Sequence, residues 1–269
     1  MKTAVCHYSY RQLLNEKGWS IGDFLKHASD HGIEGADFHQ RFLPSAEEAP
    51  ELIQKSLEGS GMVLSGLSLS TNFNREGEDF TKEVETALSW IKAAGEAGAE
   101  ISRVFGGHVP DRTDGEAVSQ GLKRIMEALQ IITPAAEEAG VVLAIENHGG
   151  LPGTGEEQIE VIEKIGSPGL RATVDVGNYL MCGQDPIKGS SIAAPYCAYI
   201  HFKDFKKIDK AFIGSVIGEG IVDHAGCLNV LKDGGYDGFV ALEFEGEDVD
   251  PLEGIEKSYA YMKKVVGDV

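Results

Sequence analysis

The chain reads as a single (β/α)8 barrel over residues 1–269, and three observations lead there. Strand-like and helix-like segments alternate from end to end. Eight strand-like segments spread over 269 residues give roughly 34 residues per unit, close to a fold that houses eight units in about 250 residues. Four apolar runs end at or near a residue that favours a divalent cation: VVLAIENHGG with Glu146, LRATVDVGN with Asp175, YIHFKD with His201 and FVALEFEG with Glu243. A barrel of parallel strands gathers such ends around one mouth.

Thr3–Tyr8 reads as the first strand. The helix Ser20–His31 follows, with Ser20 and Asp23 in capping-box spacing ahead of Phe24 and Leu25. Ile33–Phe38 is a second strand, Ala46–Gly59 a helix and Met62–Leu69 a third strand. Asp79–Gly95 carries Val84, Ala87, Leu88 and Ile91 at helical spacing. Ile101–Phe105 is the fourth strand, and Gly115–Gly140 a long helix that Pro134 should kink or restart. Val141–Glu146 is the fifth strand, ahead of a Gly-rich loop and the helix Glu156–Ile165. Leu170–Asp175 is the sixth strand, and Asp185–Ala194 is weakly helical. Ala198–Lys203 is the seventh strand, Asp223–Asp233 a helix and Gly238–Glu245 the eighth strand. Pro251–Val266 closes the chain as a helix, with Pro251 near its start. No linker, charge block or low-complexity segment interrupts the series, so one domain is expected.

Strand parity defines the site more closely. Side chains alternate with a period of two. Glu146 therefore shares a face with Val142, Ala144 and His148, against Val141, Leu143 and Ile145. Asp175 sits with Thr173, His201 with Tyr199 and Lys203, and Glu243 with Ala241 and Glu245. The opposite faces are apolar and suit the surrounding helices, which leaves all four ligand candidates pointing into the barrel. Two glutamates, one aspartate and one histidine make an oxygen-rich site with one nitrogen. Mn²⁺ or Mg²⁺ suits it best, and Co²⁺ or Zn²⁺ is compatible. Ionised carboxylates are rarely buried without a partner or a metal.

Hydrophobic content of 42% and charged content of 25% are ordinary for a soluble domain. The formal net charge of -19 opposes a phosphate backbone, so nucleic acid is not expected as a partner. A neutral sugar is not disfavoured. Cys6, Cys182, Cys197 and Cys227 show no CxxC and no paired spacing, which points to reduced thiols. MKTAVCHYSYRQ has no apolar stretch of a secretion signal, and no run approaches 18 apolar residues. Cytoplasm is the expected compartment and no membrane is expected as a partner. Homo-oligomer formation is left open.

ENHGG at 146–150, DVGN at 175–178, HFKD at 201–204 and GEGIVD at 218–223, leading to GYDGFVALE at 235–243, resemble the sugar isomerase and epimerase superfamily. This group of (β/α)8 barrels includes xylose isomerase-like proteins and endonuclease IV. The pieces cover the C-terminal half in the family's order. The resemblance implies one divalent metal held by Glu146, Asp175, His201 and Glu243. It also implies Glu146 and Glu243 as catalytic groups, acting on opposite faces of a small carbohydrate. Two positions depart from the ketose 3-epimerases: Asn178 stands where they carry histidine, and Asn147, His148 and two glycines follow Glu146.

The expected activity is isomerisation or epimerisation of a small sugar or keto-sugar derivative through an enediolate. Dehydration of a keto-polyol on the same site is the alternative. An endonuclease IV-like phosphodiesterase and a silent sugar-binding barrel rank below. His148, Lys203, His7, Asp37, Arg103 and His108 are expected to read substrate groups, with His39 in a comparable place at the end of an early strand. Lys203 has a competing reading as an ion-pair partner of Asp204 or Glu243, and Glu245 competes with Glu243 as the ligand. His27, His31 and His224 read as helix-surface residues. GTGEE at 153–157 lacks the Lys-Ser/Thr of a phosphate loop, and a flexible lid is expected there.

Overall fold

Periodic apolar runs become a closed barrel in the computed structural model, which describes residues 1–209 and 211–269. The strands are β1 (Lys2–Cys6), β2 (Gly35–His39), β3 (Val63–Ser68), β4 (Ile101–Phe105), β5 (Val142–Glu146), β6 (Leu170–Asp175) and β7 (Cys197–Phe202). A small antiparallel hairpin of β8 (Phe205–Ile208) and β9 (Ala211–Gly214) follows, and β10 (Phe239–Leu242) completes the wall. Parallel pairing runs β1-β10-β7-β6-β5-β4-β3-β2 and closes back on β1, so this is a (β/α)8 barrel in one domain.

The surrounding helices are α1 (Arg11–Glu16), α2 (Ile21–Asp30), α3 (Ala49–Leu57), α4 (Gly77–Ala97), α5 (Gly115–Glu138), α6 (Gly155–Ile165), α7 (Pro186–Ala193), α8 (His224–Asp233) and α9 (Pro251–Asp268). The capping box of α2 forms: Ser20 accepts from the Asp23 amide, and Asp23 accepts from the Ser20 amide at 2.8 Å. α1 and the β8–β9 hairpin were not legible as periodic segments, because each is too short to show a repeat.

The parity argument holds. Leu143, Ile145, Val174, Ile200, Phe202 and Val240 join the large apolar layer shared with the helices. Ala4, Cys6, Tyr199 and Ala241 form a separate small cluster inside the barrel. Gly35 belongs to this crowded interior: a Cβ there would come within 2.8 Å of Ser65 Cβ and 2.9 Å of the Phe239 ring.

Three expectations need correction. α5 runs unbroken through Pro134, where a kink or restart was expected. Proline deletes one hydrogen bond, but buried Ile132, Thr133 and Ala136 on the same turns pack the helix down. GTGEE is an anchored helix start, not a lid. Thr154 and Glu157 form a capping box, and Arg112 grips both Glu157 oxygens at 2.7 and 2.9 Å. His224 is fully buried, with Nε2 donating to the Lys203 carbonyl at 3.1 Å and its ring against Phe202. Its place at the helix start turns it toward the barrel.

GEGIVD gains a structural meaning. The buried Asp204 carboxylate accepts four backbone N–H groups: Phe205 (2.9 Å) and Val222 (3.1 Å) on Oδ1, Gly218 (2.9 Å) and Gly220 (2.9 Å) on Oδ2. Gly218 has φ +93°, and a Cβ on Gly220 would collide with that carboxylate, so both positions favour glycine. The described residues contain no helix long and apolar enough to cross a membrane, and all four cysteines are free.

Asp204→Ala would orphan these amides. Stability should fall by roughly 3 kcal/mol, since bonds to a charged acceptor are worth about 1.5–3 kcal/mol each and water can reach part of the loop. Urea unfolding reads the loss; a change under about 0.5 kcal/mol would contradict the pinning role.

Candidate metal centre

Four strand ends deliver the ligand candidates to one point. Glu146 closes β5, Asp175 closes β6, and His201 sits beside Asp175 in the β6–β7 register. Glu243 lies one residue past β10 and is held by its amide on the Phe202 carbonyl at 3.1 Å. All four are buried, and one donor atom from each lies within 4.8 Å of the others. His201 Nδ1 is 3.3 Å from Glu146 Oε2 and 3.6 Å from Glu243 Oε2. These three atoms, together with Asp175 Oδ2, make no directed hydrogen bond; the three oxygens have only ion-pair contacts, Glu146 Oε2 with Arg103 and the other two with Lys203. Buried polar atoms are normally paired. Three carboxylate oxygens and an imidazole nitrogen that face one centre without a directed hydrogen bond fit a divalent cation.

The charges around that centre agree. Asp37, Glu146, Asp175, Glu243 and Glu245 bring five carboxylates, against the permanent cations Arg103 and Lys203. Burial alone would raise the Glu146 carboxyl, but Arg103 at 3.1 Å and His201 hold it down at about 2. Burial also opposes ionisation of Glu243. Lys203 at 2.7 Å, then His201, keep it well below the usual carboxylate range. Asp175 goes the other way: burial pushes it up to about 7, aided by Glu146 and Glu243 and opposed by Lys203. The His201 ring is disfavoured as a cation by burial, yet the surrounding acidic groups raise it well above its ordinary value.

The two departures from ketose 3-epimerases brace the site. Asn147 clamps β5 to β6, its amide giving a hydrogen bond to the Asp175 carbonyl and taking one from the Asp175 N–H, both at 2.9 Å. Asn178 donates to Glu146 Oε1 at 3.0 Å. Asp175 Oδ1 accepts from the Gly177 and Asn178 amides at 2.9 Å each, which turns Oδ2 toward the centre.

The residues expected to touch substrate divide into two groups. Arg103 and His148 line a cavity of about 160 Å³ above the centre, with Tyr8, His39, Arg41, Ser70, Phe105, Glu243 and Glu245. Lys203 lies behind two of its lining residues, its ammonium bridging Glu243 (2.7 Å), Asp175 (3.4 Å) and Glu245 (3.4 Å). Its ion-pair reading with Glu243 holds, while Asp204 turns to the backbone amides.

The others lie elsewhere. Asp37 sits behind His201, with Oδ2 3.3 Å from Nε2 and accepting from Ser68 at 2.7 Å. His7 is enclosed, stacked on Phe24 at 4.7 Å beside Phe38 and Phe42, and burial lowers its imidazole to about 3. Odd parity relative to Cys6 puts it outside the barrel wall. His108 is on the exposed loop after β4. Sequence reasoning passed over Tyr8, Arg41 and Phe105. Tyr8 lies two residues past β1 and Phe105 ends β4, so both could have been found at strand ends; Arg41 carries no such signal.

Cation uptake should release protons, because His201 is charged and Asp175 protonated below about pH 7 in the cation-free site. Apparent Mn²⁺ affinity is therefore expected to fall on acidification, more steeply below pH 7 than above it. Calorimetry in buffers of different ionisation enthalpy measures the release; a pH-independent affinity would contradict it. Removing the only nitrogen ligand with His201→Ala should weaken binding at least tenfold.

A family model described as "Xylose isomerase-like TIM barrel" matches residues 25–265, and the chain belongs to that family. Among curated proteins, the chain is 28% identical over 169 residues to the uncharacterized protein MJ1311 of Methanocaldococcus jannaschii, covering 60% of this chain and 56% of that protein. It is 25% identical over 166 residues to the inosose dehydratase of Clostridium beijerinckii, covering 54% and 55%. The chain thus spans about half the length of these curated relatives. A solved D-tagatose 3-epimerase-like protein superposes with a TM-score of 0.77 at 21% identity, over 100% of this chain and 98% of the other, which shows the shared fold.

Proposed function

We propose that this member of the xylose isomerase-like family is a divalent-metal-dependent isomerase or epimerase of a small sugar or keto-sugar derivative. The observation that carries the reading is the convergence of Glu146, Asp175, His201 and Glu243, whose facing donor atoms make no directed hydrogen bond, beside a cavity that Glu243 also lines. The oxygen-rich donor set favours Mn²⁺ or Mg²⁺. When bound, the ion would supply Lewis-acid polarisation of a carbonyl and its neighbouring hydroxyl, which acidifies the carbon next to the carbonyl.

The chain's own residues would do the rest. Glu243 is on the cavity wall and takes or returns the proton at that carbon. Lys203, 2.7 Å from Glu243 Oε2, offers its ammonium to the oxygen on which negative charge develops. Glu146 is the second acid–base group, reaching the opposite face. Its oxygens are already engaged by Asn178 and Arg103, so it needs a shift of one of these partners to carry a proton. Arg103 and His148 would orient substrate hydroxyls at the rim.

Dehydration is the second reading, favoured by the match to the inosose dehydratase. The same enolate would expel a hydroxyl from the adjacent carbon, with Lys203 or His148 placed to protonate the leaving oxygen.

A panel of keto-sugars incubated with enzyme and Mn²⁺ in D₂O separates these outcomes by NMR. Deuterium next to the carbonyl without loss of water indicates isomerisation or epimerisation, and a deoxy or unsaturated product indicates elimination. No exchange into any substrate would overturn both. Glu243→Gln and Glu146→Gln should each abolish turnover, because an amide keeps an oxygen but cannot accept the proton. Glu245→Gln should retain activity within several-fold; if it alone abolished exchange, the acid–base role would pass to Glu245.

A further inference from the structure

We propose that His27, His31 and Glu256 form a second metal site, suited to Zn²⁺ or a similar transition metal, on the outer surface where α2 meets α9. It is independent of the barrel mouth. His27 lies on α2, His31 caps its C-terminus four residues later, and Glu256 lies on α9. One donor atom from each lies within 4.8 Å of the others. Glu256 Oε1 faces the Nε2 atoms of both rings, at 3.4 Å from His27 and 3.9 Å from His31.

The hydrogen bonds on the far side of each ring set the lone pairs. His31 Nδ1 is 2.8 Å from the His27 carbonyl. A carbonyl only accepts, so Nδ1 carries the proton and the Nε2 lone pair is free. His27 Nδ1 is 2.7 Å from the Tyr10 hydroxyl, which is itself 2.8 Å from the Tyr259 hydroxyl. In the ion-free chain His27 Nε2 faces a carboxylate oxygen, which only accepts; a bound cation would select the tautomer in which Nδ1–H donates to Tyr10 and Tyr10 to Tyr259, and that frees Nε2. Metal-bound histidines usually have such a partner on the other ring nitrogen.

The plainer alternative is a His27–Glu256 ion pair. A charge-assisted N–H···O⁻ bond closes to about 2.7–2.9 Å, and the 3.4 Å here is long for one. It matches the spacing of about 3.4 Å between neighbouring ligands of a tetrahedral Zn²⁺ with bonds near 2.0–2.1 Å. The His31 and Glu256 side chains are 34% and 46% exposed, so they can rotate to close the remaining gap and leave a fourth position to water. Two imidazoles and one carboxylate favour zinc over magnesium. The ion would tie the helix after β1 to the helix after β10, across the seam where the barrel closes.

The test is a Zn²⁺ titration of the chelator-treated full-length chain, followed by calorimetry and by long-range ¹H–¹⁵N NMR of the imidazoles. Zn²⁺ should move the Nε2 resonances of His27 and His31 while His31 Nδ1 keeps its proton. With the mouth first loaded with Mn²⁺, His31→Ala and Glu256→Gln should each weaken this Zn²⁺ equivalent at least tenfold and remove the further rise in melting temperature it brings, with Mn²⁺ binding at the mouth unchanged. If saturating Zn²⁺ moves only His201, or if both variants bind Zn²⁺ as tightly as the parent, the site does not exist. The imidazole resonances of the unmutated chain decide the matter even if a variant folds poorly, and they do so whether or not the mouth proves catalytic.

Discussion

Buried negative charge at the barrel mouth is the constraint around which the rest of this structure is arranged. Five carboxylates converge there, and each would be expensive to ionise alone in a low-dielectric interior. Arg103 and Lys203 offset part of that charge, and the imidazole of His201 titrates against the remainder. Five carboxylates still outnumber these cations, and oxygens of Glu146, Asp175 and Glu243 face the centre without a directed hydrogen bond. A divalent ion is the species whose charge and ligand preference match that remainder.

Holding such a centre together falls to amide groups and to two further carboxylates. Asn147 locks β5 to β6, Asn178 fixes Glu146, and backbone amides at 177 and 178 aim Asp175. Asp204 ties the amides of Phe205, Gly218, Gly220 and Val222 to the end of β7. Asp37 steadies the rear of His201. Asn147 and Asn178 therefore brace the candidate metal centre through hydrogen bonds to Asp175 and Glu146.

The histidines show how position alone divides one residue type into several roles. His201 points inward from β7 among acidic groups, which favour its cationic form. His7, on the opposite parity from Cys6, is stacked among phenylalanines, and burial keeps its ring neutral. His224 props the Lys203 carbonyl from the start of α8. His27 and His31 face Glu256 from the outer layer, where partial exposure leaves them open to an ion.

Eight apolar runs at regular spacing were enough to establish the barrel, and a period of two was enough to place Glu146, Asp175, His201 and Glu243 on one inner face. Both follow from local geometry: a strand alternates its side chains, and a parallel barrel collects its C-terminal ends. Chain order carries no such information about what lies behind those residues. Asp37 backing His201, Lys203 bridging three carboxylates and the meeting of α2 with α9 each join positions far apart in the chain. Their contacts depend on the stagger between strands and the packing angle of the helices. Short pieces such as α1 and the β8–β9 hairpin escape notice for a related reason. They show no periodicity of their own, and it is contact with the barrel that gives them a shape.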